Sequence, residues 1–323
     1  MSILLQKISG LRSQEEIMAS WSDATTALLT SICCVTYNHE QFIEDALYGF
    51  LMQVTDFPVE IIVHDDASTD NTPSIIRQYE QQYPRLIKTI YQSENQYSRG
   101  LSPSTLIRNL SRGKYIAVCE GDDCWTDPNK LQIQLDYLEQ NPNVVISGHD
   151  TLVVDEQNEI LSQSKLHNRH KRDCSGEELI LNKTLILTLS WMYRNVGLED
   201  VPEKRMVKNG DRFFLSLIGH YGGSHYHHDI KPALYHVHNG GIWSKLSSEA
   251  KKESHINTWF WLYSYYKRID RQNYARHYWM KFLQEVFCLA DANDLSNLYF
   301  DTIKLPKRMK SFLLKTISLF SNR

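Results

Sequence analysis

From residue 28 to about residue 146, short β-branched apolar runs alternate with stretches of helical periodicity, and this alternation leaves few folds open. LLTSICCVT over 28–36 is the first predicted strand, VEIIVH over 59–64 the second, 86–91 the third and KYIAVC over 114–119 the fourth. Helices are predicted between and after them. The first follows Asn38, read as its N-cap with Gln41 as capping-box partner, and buries Phe42, Ile43, Ala46, Leu47, Phe50 and Leu51. The next is capped by Thr72 ahead of Pro73 and stops before Pro84. A third is capped by Ser102 ahead of Pro103 and runs to Gly113, and a fourth starts at Asp127-Pro128. Each connection is long enough for a right-handed crossover. The expected fold class is therefore α/β, a mainly parallel sheet flanked by helices on both faces.

Ligands of such sheets bind at the carboxyl ends of the strands. Polar clusters fall at those ends: Thr36-Tyr37-Asn38, Asp65-Asp66, and Glu120-Gly121-Asp122-Asp123. Carboxylates in that position suit a hard divalent cation also bridged by phosphates, although acids end strands as plain loop polarity too. No G-x-G-x-x-G follows the first strand, and G-x-x-x-x-G-K-[ST] is absent. A dinucleotide-binding dehydrogenase and a P-loop enzyme are thereby disfavoured, and the pattern points to a nucleotide held by acids and a metal.

The 323 residues suffice for one large α/β domain or for a domain with an appendage, and 42% hydrophobic content is ample for a core. A net charge of -3 gives no general reason to bind nucleic acid. The six cysteines show no C-x-x-C spacing, which argues against a zinc ribbon and fits a reducing compartment. There is no run of 18 or more apolar residues and no signal-peptide pattern, so a cytoplasmic protein is expected.

Residues 1–27 are read as a leader without assigned chemistry. In the second half, 144–147 and 151–154 are predicted strands joined to a turn at 155–158. The basic loop HNRHKR, 167–172, has two readings, a solvated loop and a phosphate contact, of which the first is the commoner. Asp211 stands near the start of the helix RFFLSLIGH, where a capping role is common. His225, His227, His228, His236 and His238 crowd two predicted strands without a recognised zinc-ligand pattern. From residue 247 the pattern is helical. The basic end, 305–323, reads equally as an interfacial helix on anionic lipid and as a terminal helix packed on the domain.

The segments SICCVTYNHEQFIEDAL, EIIVHDDASTDNT, RGKYIAVCEGDDCWTDPNKLQ, NGDRFF and YHVHNGGIWS occur in this order between residues 30 and 244. Together they resemble the family 2 glycosyltransferases, inverting nucleotide-sugar enzymes of the GT-A fold. The resemblance implies a GT-A domain over 28–245, with a nucleotide-binding half at 28–146 and an acceptor half at 147–245, followed by a helical region at 246–323. It implies that Thr36, Tyr37 and Asn38 border the nucleotide. Asp66 would accept the ring N–H of a pyrimidine base, favouring a UDP or dTDP donor. Glu120, Asp122 and Asp123 stand where the family has its Asp-x-Asp motif, with Glu in place of the commoner first Asp. They would face ribose, diphosphate and a Mg²⁺ or Mn²⁺ ion, with Asp122, Asp123 and His238 as the metal residues. Asp211 matches the catalytic base, His236 stands where Arg is more usual, and Trp125, Trp191 and Trp243 match positions around the sugar and acceptor, with core packing as the other reading.

These residue types fit the chemistry. A divalent ion neutralises the diphosphate leaving group, and a carboxylate takes the proton of the attacking hydroxyl. The function expected is transfer, with inversion, from a UDP- or dTDP-sugar to a glycan, lipid-linked or protein acceptor in cell-surface polysaccharide, lipopolysaccharide or glycoprotein assembly. Two alternatives remain. A nucleotidyltransferase would need a basic phosphate loop near the first strand, which VTYNHEQF does not offer. A non-catalytic nucleotide-sugar or glycan binder would have no use for a base such as Asp211.

Overall fold

The computed structural model describes residues 10–22, 29–241, 243 and 245–289. They fall into two compact units, one of Met1–Arg205 with Asp211–Lys245 and the other of Met206–Gly210 with Leu246–Arg323.

The first unit is built on a seven-stranded sheet. Its strands are β1 (Thr30–Thr36), β2 (Val59–Asp65), β3 (Ile87–Tyr91), β4 (Tyr115–Val118), β5 (Val144–Gly148), β8 (Met192–Arg194) and β9 (Gly223–Tyr226), in the spatial order β3-β2-β1-β4-β8-β5-β9. All neighbours are parallel except β8, which runs antiparallel between β4 and β5. A smaller sheet, β10-β6-β7, is made of β6 (Thr151–Val154), β7 (Ile160–Ser162) and β10 (Ala233–His236). An isolated bridge between Cys124 and Leu234 brings β10 against the loop that follows β4.

Side chains alternate across a strand, and the two faces of the sheet carry separate cores. Ile32, Cys34, Ile61, Val63 and Ala117 pack against α2 (Ile43–Leu51), α3 (Thr72–Gln82) and α5 (Lys130–Gln140). Cys33, Ile62, Ile116 and Ile146 pack against α4 (Pro103–Leu110) and α7 (Gly210–Ile218). With helices on both faces the central strands are largely buried, and all seven residues of β2 are buried.

Several local expectations are corrected. Asn38 is not a helix cap: it adopts φ 54°, and its Oδ1 accepts the Thr69 N–H at 2.8 Å, so α2 starts only at Ile43 without a side-chain cap. Asn38 takes this left-handed conformation because a short polar side chain that bonds locally tolerates it. Asn71, one residue before Thr72, is the N-cap of α3. The helix expected from Asp127-Pro128 begins at Lys130, because Asp127 spends its carboxylate on the backbone N–H groups of Asn129 and Lys231. The Ser102 cap forms as expected, accepting from Thr105 N, and α4 ends at Leu110. Two helices were not placed from the sequence, α1 (Gln14–Ala19), in a leader whose sequence reads only as weakly helical, and α6 (Gly176–Ile180). Each carries a reciprocal capping box, Ser13 with Glu16 and Ser175 with Glu178.

The second unit holds α8 (Ser248–Arg268) and α9 (Gln272–Leu289), joined through Asp270 at φ 56°. Trp259 and Tyr266 stack on Tyr278 at 5.8 and 5.7 Å, the aromatic interior of a helical hairpin. No described helix is long and apolar enough to cross a membrane. The basic stretch 305–323 lies outside the described residues.

Candidate active site

The loops after β1, β2 and β4 meet at one end of the sheet. Thr36, the last residue of β1, pairs in register with Asp65, the last of β2. The turn after β1 is laced to the one after β2. Asn38 N donates to Ser68 Oγ at 2.8 Å, His39 N to Thr72 Oγ1 at 2.9 Å, and Asn71 N to Glu40 Oε2 at 2.8 Å. Gly121 lets the third loop close in. Its N–H donates to Val35 O at 2.9 Å, and a Cβ there would stand 2.6 Å from Thr36 Oγ1.

That closure brings His39 into the site. Its Nδ1 lies 3.2 Å from Thr36 Oγ1 and its Nε2 3.7 Å from Oδ2 of Asp122. From the other side, His238 places Nε2 3.1 Å from the same oxygen. One ligand atom from each of His39, Asp122 and His238 falls within 4.8 Å of the others. One carboxylate and two imidazoles could hold a divalent cation that accepts nitrogen ligands, which suits Mg²⁺ poorly because it keeps its waters and takes all-oxygen sets. Sequence reasoning chose Asp122 and His238 but missed His39; its lateral approach depends on the left-handed Asn38 and on Gly121. Asp123 is turned away from this group, with Oδ1 accepting the His236 N–H at 3.1 Å.

The acids differ in charge state. Burial alone would raise Asp122, but the His238 hydrogen bond and the neighbouring His39 and His238 rings more than offset it and lower its carboxyl. Burial, then the negative charges of Asp122 and Glu120, push Asp123 well up. Glu120 is raised by burial first and next by Asp211 and Asp122, and its Oε2 is buried without a hydrogen-bond partner. Burial also keeps His236 below the usual imidazole range, so it supplies no fixed positive charge where Arg is usual. Its Nδ1 lies 2.7 Å from the Asp122 carbonyl and its Nε2 2.8 Å from Asn158.

Asp211, in the first turn of α7, reaches this cluster electrostatically through Glu120. Its Oδ2 accepts the Thr188 hydroxyl at 2.9 Å. The residue is exposed, yet the surrounding protein raises its carboxyl above the usual range, opposed by the Thr188 bond and by Arg212. The open surface limits the size of that rise.

Other expected residues are placed differently. Asp66 is buried, with Oδ1 accepting Gln96 N at 2.7 Å and Oδ2 accepting Tyr97 N at 3.0 Å, so it organises the 96–97 backbone and keeps only its second lone pairs for a ligand. Its neighbour Asp65 has Oδ1 buried without a partner. Tyr37 is 43% exposed and able to border a ligand. The acceptor-side placing of Trp125 and Trp191 is corrected, because both are core residues. Trp125 is fully buried, with Nε1 donating to Leu189 O at 2.6 Å. Trp191 stacks on Phe214 at 4.9 Å. Trp243 is 36% exposed.

A mainly parallel sheet with acids at its strand ends, helices on both faces and a smaller sheet paired to the loop after β4 make up a fold of the GT-A class. The model of "Glycosyl transferase family 2" matches residues 31–195, and the chain belongs to that family. An uncharacterized protein of Mycobacterium tuberculosis is 36% identical over 223 residues, 69% of this chain and 62% of that protein, so the match spans less than two thirds of the relative. TuaG of Bacillus subtilis, named as a teichuronic acid biosynthesis glycosyltransferase, is 28% identical across 78% of this chain and 92% of its own. Among solved structures, Staphylococcus aureus TarS in complex with UDP-GlcNAc shares the fold. Its TM-score is 0.57 at 15% identity, covering 89% of this chain and 80% of that one.

Proposed function

We propose that the chain transfers a sugar from a nucleotide-sugar donor, UDP- or dTDP-linked, to an acceptor hydroxyl with inversion at the anomeric carbon. The observation that carries this reading is the convergence of Asp122, His39 and His238 on one point, within the electrostatic reach of Asp211 through Glu120. In this reading Tyr37, Asn38 and Thr36 border the nucleotide, and Asp66 with Asp65 faces the base. His39, Asp122 and His238 hold a divalent cation, which when bound supplies charge neutralisation at the diphosphate. Glu120, raised and incompletely bonded, is placed to donate a hydrogen bond to a sugar or ribose oxygen. Asp211 takes the acceptor's proton, and a single base opposite the leaving group gives inversion. Asp211 and His238 lie beyond the span of the family match, so their roles rest on this geometry and on the likeness of NGDRFF and YHVHNGG to family segments.

The pathway in this reading is cell-surface polysaccharide, lipopolysaccharide or glycoprotein assembly at the cytoplasmic face of the membrane. The teichuronic acid name of the Bacillus relative supports the polysaccharide branch. The test is hydrolysis of a panel of UDP-, dTDP- and GDP-sugars with Mn²⁺, Mg²⁺ or chelator. Slow, metal-dependent release of one nucleotide is expected; no binding of any donor would overturn the reading.

A further inference from the structure

The stretch Ile160–Arg172 contains Lys165, Arg169, Lys171 and Arg172 and no acid. It forms one wall beside the acidic site. Lys165 Nζ lies over the Tyr235 ring at 2.7 Å from its centroid, and its charge reaches Glu120 and Asp123. Further along, Asp150 fastens the loop, accepting Ser164 Oγ at 2.5 Å and Leu166 N at 3.2 Å and pairing with Lys171 at 2.7 Å. His170 then abuts the segment that leads to the base: its Nδ1 lies 3.2 Å from Leu185 N, Arg212 Nη1 donates to Thr184 O at 2.9 Å, and Thr188 donates to Asp211.

This wall has more donors than acceptors. Lys171 is neutralised by Asp150, and Arg172 by Glu178 at 2.7 Å. Arg169 is exposed, has no carboxylate in ion-pair reach among the described residues, and points Nε at His170 Nε2 from 3.1 Å. Leu185 N approaches the other ring nitrogen, yet a neutral imidazole has one lone pair to offer, so the ring cannot accept from both and the exposed Arg169 donor is left to water or a ligand. The crowding shows in the ring itself. Burial, then Arg169, Arg212, His167 and Arg172, push His170 down to about 4. An incoming anion would accept from Arg169, leaving His170 free to accept from Leu185 N and to donate through Nε2.

We infer that the acceptor is an anionic glycan, bearing phosphate or carboxylate groups, received by Arg169 and His170 on the wall next to Asp211. The inference deepens the proposed function and rests on Asp211 being the acceptor-side base. A planar guanidinium binds either oxyanion bidentately.

The test is binding, measured by calorimetry at two salt concentrations, of three soluble probes: oligo(glycerol phosphate), oligogalacturonate and neutral maltohexaose. Vesicles of phosphatidylglycerol or phosphatidylcholine form a separate arm. The proteins are wild type, Arg169→Glu, Arg169→Gln and Arg169→Lys, each checked for unchanged melting and for binding of UDP with Mn²⁺. At least one anionic oligomer is expected to bind about tenfold or more tightly than maltohexaose. Arg169→Glu and Arg169→Gln should abolish the preference, and Arg169→Lys should keep part of it. Equal binding of charged and neutral oligomers, or a preference untouched in Arg169→Gln, would overturn the inference while leaving nucleotide binding intact. Binding to phosphatidylglycerol vesicles alone would overturn it in favour of a lipid surface. Failure of wild type to bind any nucleotide would instead strike the proposed function.

Discussion

His238 Nε2 lies 3.1 Å from Oδ2 of Asp122, although 116 residues separate the two in the chain. The contact exists because β10 is drawn to the β4 loop by the Cys124–Leu234 bridge and by the His236 N–H bonded to Asp123. It lowers a carboxyl that burial alone would raise. His238→Ala should therefore weaken Mn²⁺-dependent UDP binding by roughly tenfold or more, and His39→Ala similarly. Calorimetry with and without Mn²⁺ checks this, and neither variant should alter the weak binding that remains in chelator.

The hydrogen bond from Thr188 lowers the carboxyl of the exposed Asp211, which the surrounding protein raises to a limited extent. A base must be deprotonated to act, so the acidic limb of the rate profile reports this group. Thr188→Val removes only the lowering influence. The limb should move to higher pH by up to about one unit, with turnover recovered above it. A loss of rate equal at every pH would show that Thr188 acts in some other way.

Gly121→Ala forces a methyl group against Thr36, where 2.6 Å separates the added atom from Oγ1. The β1 and β4 loops cannot then close as they do here. Destabilisation of about 1–3 kcal/mol is expected, read from urea unfolding, together with weaker Mn²⁺-dependent nucleotide binding. Gly100→Ala, with no atom within 4 Å of the added group but φ at 76°, should cost stability alone.

Lys130 is 1% exposed, with Nζ donating to Gln134 Oε1 at 2.6 Å and lying 4.0 Å from the Trp125 ring centroid. Burial depresses its pKa to about 7. Between there and the unfolded value near about 10.4 the unfolded chain binds the extra proton, so stability contributed at this site rises with pH across that window. Below it both states are charged and the full penalty stands. Relative to Lys130→Met, the wild type should gain stability from pH 7 to 10, with a slope of at most about 1.4 kcal/mol per pH unit. Parallel profiles for the two proteins would contradict it.

Much of this was legible in the chain because the signals were local. The runs ICCV, EIIV and YIAV read as buried strands through composition alone, and Glu120 to Asp123 marked the functional edge because acids there have no role in a core. The GT-A resemblance and the family match agree over the same strands. What escaped depended on contacts distant in sequence. β8 is a strand of three residues that exists only because β4 and β5 flank it. His39 became a partner of Asp122 through a backbone turn at Asn38 that no periodicity announces. Trp125 looked like a surface for sugar, yet Gly49 leaves room for its backbone and Phe50 packs on its ring at 5.0 Å. The Ser13 and Ser175 capping boxes were readable in principle, each a Ser followed three residues later by Glu.

The proposed metal role of Asp122, with His39 and His238, makes nucleotide binding depend on a divalent ion. The most direct measurement is a calorimetric titration of UDP and dTDP into wild type and Asp122→Asn, each with Mn²⁺ and with chelator. Binding to wild type should need Mn²⁺, and Asp122→Asn should lose that dependence with the fold intact. Equal binding by both proteins, or binding by wild type indifferent to the metal, would contradict it.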